Sequence, residues 1–222
     1  MINQIDKVDE WHMQRRGKFT ASEIYKLLVL SADGMFSPGG LTYIKLKAIE
    51  EMTEYYDRPE MEYVEPLIHG KQQEANAYSE YLSVTKNYSM RHFGDSEPLF
   101  VDYNDYSGGS PDGIMGEGEK VIWGLELKSP YQPSNHAKYL EYKDQWDLKL
   151  GRKEYYAQIQ FLLMITKAEG WHFCSFDERW KNKKNRLKVI EIKLDKKFQD
   201  NLHMKLISAN EEKKKIIQLY NN

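Results

Sequence analysis

Ser110-Pro-Asp-Gly-Ile-Met115 runs into a glycine- and glutamate-rich turn, Gly116 to Glu119, and then into Val121-Ile-Trp-Gly-Leu-Glu-Leu-Lys128. The second part alternates. Val121, Trp123, Leu125 and Leu127 point one way and Ile122, Gly124, Glu126 and Lys128 the other, which is a strand period. Glu126 and Lys128 therefore share a face at the end of an apolar strand. Asp112 lies just across a tight turn, so a hairpin places it beside Glu126. Two carboxylates and a lysine gathered there suit a hard divalent cation that activates water. A surface hairpin with a Glu126–Lys128 ion pair has the same pattern, so the flanking segments must decide the chemistry.

The chain has 222 residues, enough for one well-cored domain or one domain with an arm. Its 41% hydrophobic and 30% charged residues are ordinary for a soluble globular protein. No apolar run approaches the length of a membrane span, so no membrane partner is expected. The start, Met-Ile-Asn-Gln-Ile-Asp, lacks the basic and apolar regions of a signal peptide, and a cytoplasmic protein is expected. A single cysteine, Cys174, excludes an internal disulfide framework and any four-cysteine metal or iron–sulfur site. The net charge of −2 carries no global nucleic-acid signal. The charges are uneven, however: residues 181–222 hold 12 Lys/Arg against 5 Asp/Glu, and the first 180 hold 20 against 29. Such a chain either gathers a basic surface or carries a solvated lysine-rich face.

Ahead of the hairpin, Trp11 to Leu28 contains Arg15, Arg16 and Gly17, then Thr20-Ala-Ser-Glu23 with the spacing of a capping box. The spacing predicts a helix starting just after Thr20, with Ile24, Leu27 and Leu28 inside. Arginines and hydroxyls beside a helix N-terminus suit a phosphate; two surface arginines before a capped helix fit the same residues. Ser37-Pro-Gly-Gly40 reads as a connector or mobile flap before a helix carrying Leu41, Ile44, Leu46, Ile49 and Met52. From Ile68 a helix is expected with Glu74 and Tyr78 near one face, where Glu74 taken alone reads sooner as a surface carboxylate. Glu97 to Tyr106 reads as a strand, with Leu99, Phe100, Val101 and Tyr103, leading through Ser107-Gly-Gly109 into the hairpin. Residues 136–150 read as a loop and a polar, aromatic helix.

The helix from Glu154 is apolar nearly all round and carries Gln158 and Gln160, whose amides need partners. Strands are expected over Gly170–Phe176 and Leu187–Leu194, joined by the basic stretch Lys181–Arg186. A final helix begins near Asp195, with Phe198, Leu202 and Ala209 inside and Lys213-Lys-Lys215 outside. The order predicts a mixed α/β (α+β) domain around one central sheet.

Together these residues resemble a family. Ser110-Pro-Asp-Gly113 with Glu126-Leu-Lys128 looks like the core of the PD-(D/E)XK nucleases. Trp11-His-Met-Gln-Arg-Arg-Gly-Lys-Phe-Thr-Ala-Ser-Glu23, Gly70-Lys-Gln-Gln-Glu74 and Ala157-Gln-Ile-Gln160 narrow it to the phage lambda exonuclease group, the YqaJ-like viral recombinases. Residues 31–66 and the last thirty or so show no motif that aligns. The resemblance implies a restriction-endonuclease-like core, a central mixed sheet flanked by helices, in one domain over 1–222. Residues 31–66 would be a variable insertion and 181–222 a basic C-terminal segment.

It implies roles as well. Asp112, Glu126 and the Leu127 carbonyl would hold Mg²⁺, with Mn²⁺ as a substitute; Glu74 would assist from its helix. Lys128 would position the attacking water and Gln158 would orient a metal-bound water or carboxylate. Arg15, Ser22 and Ser110 would bind a 5′ phosphate, for which arginine's planar fork is suited. The implied activity is 5′→3′ degradation of linear double-stranded DNA, leaving 3′ strands for a single-strand annealing partner, by a ring-shaped homotrimer. An endonuclease or junction resolvase on the same core, or a non-catalytic DNA-binding or assembly subunit, are the alternatives. The first has no need of Arg15 and Ser22; the second has no need of an intact Asp112, Glu126 and Lys128.

Overall fold

The computed structural model describes residues 4–54, 64–94, 97–118 and 120–221. Glu119, expected in the hairpin turn, and residues 55–63 of the expected insertion lie outside the described residues.

Helix α1 (Gln4–Arg15) leads into a short strand β1 (Phe19–Thr20) and a 3-10 helix, Ala21–Leu28. Helices α2 (Pro38–Met52) and α3 (Glu65–Thr85) follow, then strands β2 (Arg91–His92), β3 (Val101–Asn104), β4 (Ser107–Gly109), β5 (Gly113–Glu117) and β6 (Lys120–Lys128). Helices α4 (Pro133–Glu141), α5 (Gln145–Gly151) and α6 (Lys153–Thr166) cross over to β7 (Gly170–Phe176), and β8 (Leu187–Ile192) precedes the long α7 (Lys196–Asn221).

The main sheet has the order β2-β5-β6-β7-β8, and a small second sheet runs β1-β4-β3. Within the main sheet β6 and β7 are parallel and every other pairing is antiparallel. A parallel pair needs a long connection, and α4, α5 and α6 supply it. One face of the sheet packs Leu125, Leu127, Cys174 and Phe176 against Ala77 and Tyr81 of α3. The other packs Trp171, Phe173, Ile190 and Ile192 with α6, the 3-10 helix and α7. The result is a mixed sheet between layers of helices, as expected.

The alternation of β6 holds from Trp123 to Lys128 and breaks before it. Met115 pairs with Trp123 and Gly116 with Val121, so Ile122 is the extra residue of a bulge. Val121 therefore joins the cluster on the opposite face from Leu125 and Leu127. Gly124 has a packing reason: a Cβ there would come within 2.3 Å of the Trp171 ring on the neighbouring strand.

Several local expectations are corrected. The helix after Thr20 is 3-10, and Thr20 makes no side-chain cap. Thr20 is instead part of β1, its N–H donating to the Tyr43 hydroxyl at 2.9 Å, while Glu23 pairs with Lys26. Ser37 is no flap: its hydroxyl accepts from Gly40 N at 3.2 Å and Pro38 opens α2, where a missing N–H costs nothing. The strand expected over Glu97 to Tyr106 is confined to Val101–Asn104, and Ser107–Gly109 forms a strand of its own, where a Cβ on Gly108 would lie 2.5 Å from the Phe100 ring. Residues 136–150 form parts of two helices, and β8 ends at Ile192. Lys213, expected outside, is buried, donating to Gly17 O at 2.9 Å and pairing with Glu51 at 2.6 Å. No described helix is long and apolar enough to cross a membrane.

Candidate active site

The β5–β6 hairpin puts the acidic pair together as its sequence implies. Gly113 faces Leu125 across the ladder, so Asp112, one residue earlier, comes level with Glu126. The Leu127 N–H donates to Asp112 Oδ2 at 2.7 Å, which fixes that carboxylate. Asp112 is held from its other side as well, since its carbonyl accepts from Phe93 N at 2.8 Å.

Glu126 is wholly buried on the α6 face of the sheet. One oxygen, Oε1, accepts from Gln158 Nε2 at 2.7 Å and pairs with Lys128 Nζ. The other, Oε2, is buried and has no hydrogen-bond partner among the described residues. Gln158 thus has a specific task, and Gln160 another: it bonds Lys193 O at 2.8 Å and accepts from Asp195 N at 3.0 Å.

The charges perturb one another. Burial and the adjacent Glu126 push the Asp112 carboxyl well above its usual range, with Lys128 and the Leu127 N–H pulling the other way. For Lys128 burial favours the neutral amine, but Glu126 and Asp112 outweigh it and keep the ammonium charged to high pH. Its Nζ also lies 5.4 Å from the centre of the Tyr155 ring.

Asp112, Leu127, Lys128 and Tyr155 line a cleft of about 670 Å³ whose other wall is α3, from Glu65 to Glu74. Glu74 adds to the field that raises Asp112, yet its Oε1 lies 2.8 Å from His92 Nε2 and His92 is stacked on Tyr78. Among the described residues no three carboxylate, imidazole or thiol side chains converge on one point. Asp112 and Glu126 are a pair, with Glu74 next to them and turned to His92.

The predicted anion residues separate into two that meet and one set apart. Arg15 and Trp11 stand one turn apart on α1, and both reach Ser110: Trp11 Nε1 donates to Ser110 Oγ at 2.9 Å and Arg15 Nη1 at 3.1 Å. The guanidinium lies over the Trp11 ring, 4.2 Å from its centre, and its Nε is buried without a hydrogen-bond partner. Among the described residues its contacts are aromatic rings and a hydroxyl rather than a carboxylate, which leaves its charge available. Gly17 ends α1 with a φ of +69°, a conformation glycine adopts without strain. Ser22 is exposed on the 3-10 helix, in no hydrogen bond with Arg15 or Ser110. It follows Ala21, against which Gly109 packs.

Sequence reasoning missed His92, Trp11 and Tyr155 as parts of the site. Trp11 and Arg15 do stand at i, i+4, a spacing legible in advance. His92 carries no local signal, because only the pairing of β2 with β5 brings it to Glu74.

The YqaJ-like viral recombinase domain matches residues 10–169, well over half of the chain. The chain belongs to the YqaJ-like viral recombinase family. No curated protein matches it. Among solved structures, this YqaJ-like domain is similar to LHK-Exo, an alkaline exonuclease from Laribacter hongkongensis, with a TM-score of 0.77 and 20% identity over 96% of each chain. The same enzyme in complex with dAMP gives 0.76 and 20%, covering 96% of this chain and 95% of that one. A phage-related exonuclease from Haemophilus somnus gives 0.70 and 12%, covering 94% and 99%. The YqaJ-like domain thus has the fold of these exonucleases, of the PD-(D/E)XK type.

Proposed function

We propose that this YqaJ-like domain is a Mg²⁺-dependent exonuclease that degrades linear double-stranded DNA 5′→3′ from 5′-phosphorylated ends. The observation that carries this is the open oxygen of buried Glu126 beside Asp112, a cleft-lining residue that is joined through Pro111 and Ser110 to Arg15. A buried carboxylate oxygen without a donor is costly unless something binds it, and two adjacent carboxylates call for a cation. The donors are all oxygen, which fits a hard divalent ion.

Asp112, Glu126 and the Leu127 carbonyl would hold Mg²⁺, or Mn²⁺ in its place, with Glu74 close by. Bound there, the ion supplies Lewis acidity on the phosphate and a water of lowered pKa. The remaining work belongs to the chain. Gln158 and Lys128 hold Glu126 by one oxygen and so keep the other turned to the cation. Lys128, charged at working pH, orients the attacking water and offsets the negative charge that grows on the phosphate. Arg15 and Ser110 take the terminal 5′ phosphate, with Ser22 as a further contact. Because Ser110 and Asp112 are two residues apart on one rigid turn, the distance from the terminal phosphate to the cut is fixed. The likeness to a fold that holds dAMP supports a mononucleotide product.

The 3′ strands left behind would go to a single-strand annealing protein, with the nuclease as a homotrimeric ring threaded by duplex. In such a ring retention comes from topology, and a net charge of −2 is no obstacle.

Digestion of linear duplexes labelled separately at each end, beside a covalently closed circle, tests the reading. The expected result is Mg²⁺-dependent release of label from 5′-phosphorylated ends, slower release from 5′-hydroxyl ends, an intact circle, and no activity in Asp112→Ala or Glu126→Ala. Cutting of the circle would point to an endonuclease. Binding without cutting would point to an assembly subunit. Full activity in either alanine variant would remove the assignment of the acidic pair.

A further inference from the structure

The connection between β7 and β8 carries Arg179, Lys181, Lys183, Lys184 and Arg186. Lys181, Lys183 and Lys184 are exposed. The acidic groups beside them are otherwise engaged: Asp177 is paired with Arg179 at 2.7 Å, and Glu178 accepts from Gln73 of α3 at 3.0 Å. The three ammonium groups take part in none of these contacts.

Lysines on a surface loop are usually mobile, and this loop is held. His136, fully buried on α4, places Nε2 2.8 Å from Asn185 O and Nδ1 2.8 Å from Ser175 Oγ. Since a carbonyl only accepts, Nε2 carries the proton and Nδ1 accepts from the serine. Arg186 Nε donates to Trp180 O at 2.9 Å, Asp177 N to Arg186 O at 2.9 Å, and Asn182 caps the 3-10 turn Lys183–Asn185 through Lys184 N at 3.1 Å.

The anchoring also sets where the loop lies. Arg179 donates to Tyr131 O at 3.0 Å and to Pro130 O at 3.1 Å, and both residues line the cleft immediately beyond Lys128. Gln73 belongs to the α3 stretch that forms the opposite wall. The connection therefore joins both walls of the cleft at one end, and its exposed lysines follow the Arg179 anchor by two, four and five residues.

We propose that Lys181, Lys183 and Lys184 form a binding surface for the phosphate backbone of duplex DNA, continuing the cleft away from the cutting centre. This rests on the nuclease reading above. Three point charges on a backbone fixed in advance meet successive phosphates without the cost of ordering the loop, and they release counterions on doing so. Such contacts carry no sequence information, as an end-degrading enzyme requires.

The test uses the full chain with Lys181, Lys183 and Lys184 all changed to Gln. Its control is Lys214→Gln/Lys215→Gln, lysines already paired with Glu211 and Glu212. Duplex binding is measured by fluorescence anisotropy in EDTA, so that no strand is cut, with a long duplex and with one of only a few base pairs. The triple variant is expected to bind the long duplex more weakly, with the slope of log affinity against log salt flatter by about 2.7 for three lost phosphate contacts. The very short duplex should bind both proteins alike, and with Mg²⁺ present the variant should show a raised KM at unchanged kcat. Wild-type affinity and slope in the triple variant, or a loss no larger than the control's, would overturn the proposal while wild-type degradation of linear duplex stands. Absence of that degradation in the wild-type protein would instead mean that the nuclease reading itself is wrong.

Discussion

Glu50 and Glu126 are both wholly buried glutamates with a lysine beside them, and they are finished differently. Glu50 has both oxygens occupied: Lys47 Nζ lies 3.0 Å from each, and Gly17 N donates to Oε2 at 2.9 Å. Around it, Arg16 bonds the Glu50 carbonyl and Lys213 bonds Gly17 O, so the cluster closes on the turn that follows Arg15. Glu126 has its lysine and its glutamine on one oxygen and nothing on the other. The difference separates scaffold from site. A buried charge that only supports the fold has every valence met, because an unmet one costs what its desolvation costs. A valence left open persists where a ligand fills it.

Glu126→Gln should lower nuclease activity by about a hundred- to a thousandfold, by the loss of an electrostatic contact at the reacting centre, with stability nearly unchanged. A variant that unfolded instead would place Glu126 with Glu50 as scaffold. Glu50→Ala should do the reverse. It takes the carboxylate from buried Lys47 and the acceptor from Gly17, costing about 3 kcal/mol of stability in a denaturant titration. Its activity should survive below the melting point, reduced only as far as the Arg15 turn loosens. Unchanged stability there would mean that the closed cluster does not support the fold.

The smallest effect is a pH dependence at His136. Burial lowers its pKa from the ordinary 6.5, against the pull of the Asn185 carbonyl and Asp177. Between those two values the unfolded chain binds a proton that the folded one does not, so stability falls as pH drops below about 6.5. Melting temperature followed from pH 8 downward should decline by a few degrees, and His136→Gln should flatten the decline. His172, also lowered by burial, leaves the remainder. An unaltered profile in the variant would show that His136 is not the group responsible.

How far the sequence could be read depended on range. The β6 alternation from Trp123 to Lys128 was legible because neighbouring residues on a strand declare their own faces. Asp112 beside Glu126 followed from a hairpin, the shortest tertiary contact there is. The bulge at Ile122 was not legible, since an extra residue shows only against a partner strand. Thr20 and Glu23 had the spacing of a capping box and did not form one, because β1 pairs with β4 and holds Thr20 in a sheet. Local propensity lost there to tertiary pairing. Lys213 stands in a run of three lysines that reads as solvated, yet it is buried under the Gly17 turn, a contact spanning most of the chain.

An acidic pair and a lysine on one hairpin, an arginine ahead of them and glutamines on an apolar helix are all legible in the residues alone. Those follow from residue type and short spacing, through chemistry that acts locally. Only the tertiary structure decided which valence is open, which charges are closed, and where the basic residues face. Those answers depend on burial and on partners far along the chain. Glu126 has its open oxygen because α6 brings Gln158 to one side of it only. Lys213 and Lys183 differ because one packs under a turn, bonded to Gly17 O, and the other stands exposed on the connection between β7 and β8.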